Sequence, residues 1–239
     1  MLQLLRETVV RPVVERWLIN SDRSWRALES PDSSSVVSLA GPDPDRILLV
    51  GGGINAGWGE NSHESALAGS LARHIVPTTG RGLRIDVVVD DILSGTGRLG
   101  SRVASLLRTI DAVVVTPGDL DALLLLSPAL YRRQVERVLE SITERAPAGA
   151  QIFVLGSVPL TSLIPLSPML RWMTTWLAGT LDNEARHACT ARTNAAFISL
   201  RPDSAPDREP VVTSYENWAG MIAPTISERL DSCSDTPIR

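Results

Sequence analysis

Residues 46–59 read Arg-Ile-Leu-Leu-Val-Gly-Gly-Gly-Ile-Asn-Ala-Gly-Trp-Gly. Ile47, Leu48, Leu49 and Val50 make a short continuous apolar run, the pattern of a strand buried on both faces. A glycine-rich turn follows at once, and none of its side chains is a nucleophile. A strand buried on both faces needs helices above and below it, which places the chain in the α/β class.

The rest of the sequence repeats that unit. Strands are expected at 46–50, 83–89, 112–116, 151–155 and 195–199, with helices at about 62–75, 98–109, 128–145, 167–191 and 212–229. Within 128–145, Tyr131, Val135, Val138, Leu139 and Ile142 share one helical face. Tyr215, Trp218, Ala219, Ile222 and Ile226 do the same in the last helix. Such alternation implies right-handed crossovers and parallel strands. The expected fold is a three-layer, doubly wound, parallel five-stranded sheet of flavodoxin-like form with an N-terminal helical extension. Ligands of such sheets bind at the carboxyl ends of the strands.

Residues 2–18 set Leu2, Leu5, Val9, Val13 and Trp17 on one face, opposite Arg6, Arg11 and Arg16. That stripe suits a helix packed on the domain, or an interfacial helix meeting a membrane or a partner. Residues 31–45, rich in Pro, Asp and Ser, read as a linker. The expected division is an extension at 1–30, a linker at 31–45, the domain at 46–230 and a tail at 231–239.

With 239 residues, 44% of them hydrophobic and 21% charged, the chain suits one sizeable domain. Its net charge is −4 and every basic side chain is Arg, with no basic run, which argues against a dedicated nucleic-acid binder. Two cysteines, Cys189 and Cys233, do not make a disulfide framework. The first residues lack a secretory pattern, and the uncharged run 146–170 is broken by four prolines, so neither a signal peptide nor a transmembrane helix is expected. The expected location is cytoplasmic.

The glycine turn resembles the first motif of the SGNH (GDSL-type) hydrolases, Val-Gly-Asp-Ser-Ile-Thr-Ala-Gly-Trp-Gly, whose Ser is the nucleophile. Gly51, Ala56, Gly57, Trp58 and Gly59 match it, whereas Gly52 stands at the Asp and Gly53 at the Ser. Ser94-Gly95-Thr96-Gly97 resembles the family's Ser-Gly-Ala-Thr block, so Gly95 matches a backbone oxyanion donor; its plainer reading is a turn glycine. Gly118-Asp119-Leu120-Asp121 resembles Gly-x-Asn-Asp, with Leu120 at the Asn that donates to the oxyanion. Aligning Pro210, Tyr215, Trp218 and Ala219 with Asp-Gly-x-His-Pro-Ser-x-x-Gly-Tyr-x-x-Trp-Ala puts Glu209 on the His and Pro206 on the Asp. A one-residue shift offers Asp207, but no shift supplies a histidine.

The resemblance, covering about 45–230, implies a hydrolase frame without hydrolase chemistry. Ester hydrolysis by this route needs an activated hydroxyl, a base, an orienting carboxylate and oxyanion donors. Gly53 supplies no nucleophile and Glu209 is a poor base for a serine. The implied protein is a pseudoenzyme that binds an acyl or other small ligand, or a protein partner. Its vestigial cleft would be lined by Gly52, Gly53, Asn55, Ser94, Gly95, Asp119, Leu120 and Glu209. No cofactor or metal is expected.

Other readings stay open. An active esterase with a non-standard site would use Ser94 or Glu209. Asp119, Asp121 and Glu209 would be a carboxylate group for glycoside hydrolysis or a hard cation, unless Asp121 caps a turn and Glu209 is solvated. Gly51-Gly52-Gly53-Ile54-Asn55-Ala56 also satisfies the dinucleotide fingerprint, with Asp90 toward a ribose. Against that, the next helix is expected only near Ser62 and Asp90 lies twice as far on as usual. His63 is expected at the surface of that helix start, where Asn61 and Glu64 have capping-box spacing. His74 and His187 are expected to be partly exposed. The segment 158–179, charged only at Arg171, would wall the cleft, pack as core, or expose an apolar patch for a membrane surface or a homodimer.

Overall fold

The computed structural model describes residues 29–32, 34–90, 99–116, 127–157, 168–200 and 215–234. Six strands form one mixed sheet: β1 (Ser34–Leu39), β2 (Asp45–Gly51), β3 (Leu83–Val89), β4 (Ala112–Thr116), β5 (Gln151–Leu155) and β6 (Ala195–Ile198). Their order across the sheet is β1-β3-β2-β4-β5-β6. The five expected strands are parallel neighbours in the inner run β3-β2-β4-β5-β6. Helices α1 (Leu67–Thr79), α2 (Ser101–Leu106), α3 (Pro128–Thr143), α4 (Pro168–Thr190) and α5 (Tyr215–Ser234) flank it.

β1 corrects the five-stranded, all-parallel expectation. It pairs antiparallel with β3, from Ser34 opposite Val88 to Leu39 opposite Leu83. The linker assigned to 31–45 therefore contains an edge strand. Its composition concealed it: Val37 is its one buried hydrophobic residue, while Val36 and Leu39 are exposed. An edge strand covered on one face does not need the apolar run that betrays a central strand.

The inner strands divide their side chains between two cores with period two. Leu48, Val50, Val113, Val115, Ile152 and Val154 face a core closed by α2, α3 and α4. Ile47, Leu49, Val114, Phe153 and Leu155 face a second core closed by α1 and α5. Cys189 is buried in the first core, and burial pushes its thiol up to about 11.

The boundaries of α1 and α5 differ from expectation. No capping box forms at Asn61–Glu64. The chain turns there, with Ala66 N–H donating to the Ser62 carbonyl and Gly69 N–H to the His63 carbonyl, and α1 begins only at Leu67. That fold-back demands glycine at 69, where a Cβ would lie 1.8 Å from the Glu64 carbonyl oxygen. The tail assigned to 231–239 begins as helix, because α5 continues to Ser234.

Candidate functional site

β2 ends on the turn read first. Gly51 has φ +130°, and a Cβ there would sit 2.0 Å from the Thr116 carbonyl oxygen at the end of β4. No other residue fits that approach. Residues Gly53–Ala56 then wind into a single 3-10 turn with Gly53 buried at φ +63°. The Thr116 hydroxyl, 1% exposed, donates to the Gly52 carbonyl at 2.8 Å.

Asn55 holds this turn from inside. It is 1% exposed, and its Nδ2 donates to the Val88 carbonyl at 3.0 Å and the Gly51 carbonyl at 3.2 Å. Asn55 Oδ1 has no hydrogen-bond partner among the described residues. The Asn55 N–H groups thus tie the ends of β2 and β3 together. The Asp90 N–H also donates to the Gly51 carbonyl, at 3.1 Å, so the exits of the two strands are pinned together.

The outer half of the turn is clamped by distant segments. Tyr215, first residue of α5, donates its hydroxyl to the Trp58 carbonyl at 3.1 Å and meets Trp218 edge-on at 5.4 Å. The segment before β1 crosses over it: the Gly59 N–H donates to the Glu29 carbonyl at 2.7 Å, and a Cβ on Gly57 would lie 2.9 Å from Pro31. His63 belongs to this strap. It is 3% exposed with Nε2 2.9 Å from the Asp32 carbonyl oxygen, which corrects the expected surface histidine. A carbonyl only accepts, so Nε2 carries the proton. Sequence reading missed Thr116, the Trp58–Tyr215 clamp and the strap, since none has a local signature.

The other histidines stand elsewhere. His74 on α1 places Nε2 2.9 Å from Glu216 Oε1 on α5, and His187 is exposed on α4. Among the described residues no group of three or more His, Cys, Asp or Glu is placed to hold a metal. A pyrophosphate site needs a helix N-terminus directly after the glycines. Here a 3-10 turn follows them, and α1 begins sixteen residues after Gly51. Ser94, Gly95, Asp119, Leu120, Pro206 and Glu209 lie outside the described residues. An open depression of about 600 Å³ borders the start of α3, beside Ser127, Arg132, Arg133 and Glu184.

No family model matches the chain, and no curated protein sequence matches it. Solved structures do share its fold. The lipase Lip_vut3 from a goat rumen metagenome superposes with TM-score 0.55 at 13% identity, over 79% of this chain and 97% of that one. A family two carbohydrate esterase from Clostridium thermocellum, solved with cellohexaose, superposes with TM-score 0.52 at 14% identity, over 81% of this chain and 67% of that one. The chain shares its α/β fold with this lipase and this carbohydrate esterase.

Proposed function

We propose that this protein uses an SGNH-type frame to bind a small acyl-bearing ligand at the carboxyl edge of its sheet, without hydrolysing it. The observation that carries this reading is the turn after β2. Gly53 is buried there with no side chain, and both the Thr116 hydroxyl and the Asn55 amide donate inward to backbone carbonyls. An acyl transfer at this turn would lack a hydroxyl to attack with and a base to activate one.

The sequence pattern extends the argument to the neighbouring loops. Leu120 in place of an amide removes an oxyanion donor, a loss of about 3 kcal/mol of transition-state stabilisation in comparable sites. Glu209 in place of a histidine is a weak base near neutrality. Ser94, Gly95, Asp119 and Glu209 are the proposed ligand contacts, around the backbone of Gly52 and Gly53.

The test is hydrolysis of short- and medium-chain p-nitrophenyl esters by the full chain, with Ser94→Ala and Glu209→Ala variants alongside. The expected rate equals the buffer blank for all three. Turnover that either substitution abolishes would overturn the proposal and place working chemistry in the loops.

A further inference from the structure

The first half of α4 stands clear of the sheet. The Ser157 N–H, two residues past the end of β5, donates to Asp182 Oδ1 at 2.8 Å, which sets Asp182 level with the carboxyl edge. Fourteen helical residues precede Asp182, a rise of about 20 Å beyond that edge. Arg132, in the first turns of α3, already lies 3.9 Å from Glu184, so α3 begins near the level at which α4 reaches the sheet.

This projecting half has two faces. Leu177, Ala178 and Leu181 are buried in the first core. Trp172 and Trp176, one helical turn apart, are 69% and 63% exposed. No other described tryptophan is exposed. From 158 to 181 the sequence holds a single charged residue, Arg171, beside Trp172. The chain as a whole carries −4, so this tip is locally cationic on an acidic protein.

We propose that the α4 tip is a docking surface for an anionic lipid bilayer. Tryptophan suits the boundary between headgroups and acyl chains, because its ring is apolar and its indole N–H still reaches a polar partner. A projecting helix end meets a flat surface with both indoles while the acidic body stays away. Arg171 is the one charge the sequence offers in this stretch, and its sign suits lipid phosphate. Among the described residues no helix is long and apolar enough to cross a membrane. The proposal does not depend on whether the edge binds or hydrolyses a ligand.

The experiment is co-sedimentation of the full chain with phosphatidylcholine vesicles, with and without phosphatidylglycerol. The wild type is expected to sediment with the mixed vesicles, less with phosphatidylcholine alone, and less again at high salt. Its emission should shift to the blue and be quenched by brominated acyl chains. The Trp172→Ala/Trp176→Ala variant should lose at least tenfold in partitioning while keeping the wild-type circular dichroism and melting temperature. If that variant does not fold, the quenching of the wild type decides. Wild type left in the supernatant, no quenching, or equal partitioning by a folded variant would overturn the proposal. So would a dimer in light scattering that the variant abolishes, since a second copy would then cover the tip.

Discussion

At the residue scale, the turn after β2 is a problem of backbone fit and buried polarity. Gly51 is fixed by its 2.0 Å approach to the Thr116 carbonyl, and Asn55 by the two carbonyls it reaches. The Asn55→Ala variant is expected to lose about 1–3 kcal/mol, since the Val88 carbonyl gives up a buried donor with nothing to replace it. Urea denaturation would show this as a lower midpoint at unchanged slope. A loss below about 0.5 kcal/mol, the level of an ordinary surface change, would mean that the amide is not what holds the turn. The glycines were legible in the sequence as a turn. That Asn55 is an internal brace was not, because the same letter suits an exposed loop.

At the element scale, α1 and α5 are joined by one carboxylate. Glu216 accepts from Arg73 Nη2 at 3.1 Å and lies 2.9 Å from His74 Nε2. The Arg73 hydrogen bond, with smaller help from Ser70 and the Arg73 and His74 charges, holds Glu216 below its ordinary value against a burial effect that raises it. A carboxylate lowered in the folded state adds stability that is present above its unfolded value and lost as pH falls through the folded one. Glu216→Gln is therefore expected to be less stable than wild type at pH 7, by on the order of 0.5 kcal/mol because the pair is half exposed. The gap should close as pH drops below about 4. Melting curves across pH 3–8 would measure it, and a gap that widens in acid would contradict the assignment. At the opposite edge Arg81 joins β2 to α5, with Nε 2.9 Å from Asp45 and Nη1 2.7 Å from Asp231. Neither link was visible in the sequence, where the partners are far apart. The elements they join were visible, because each carries its own periodic apolar face.

At the scale of the whole molecule, the sheet separates two cores that share no side chains among the described residues. Ile142 lies in the core under α2, α3 and α4, and Ile226 in the core under α1 and α5, both with 0% exposure. Ile142→Val and Ile226→Val should each cost about 0.5–1.5 kcal/mol. Lying on opposite faces, their effects should add to within about 0.5 kcal/mol in the double variant. A larger departure would show that the two layers are mechanically coupled through the sheet.

The sequence alone determined the α/β class, the five inner strands and the order of the helices. A strand buried on both faces must be apolar throughout, and a helix packed on it must be apolar on one side, so both leave a local trace. It also determined that Gly53 carries no side chain, which is a matter of identity and needs no coordinates. Only the tertiary structure revealed the edge strand hidden in a polar stretch, the burial of His63 beneath the strap and the inward commitment of Asn55 and Thr116. It alone showed the projection of α4 beyond the sheet. Each of those depends on what a residue meets across the fold, and a contact between segments far apart in the chain leaves no signature in either one.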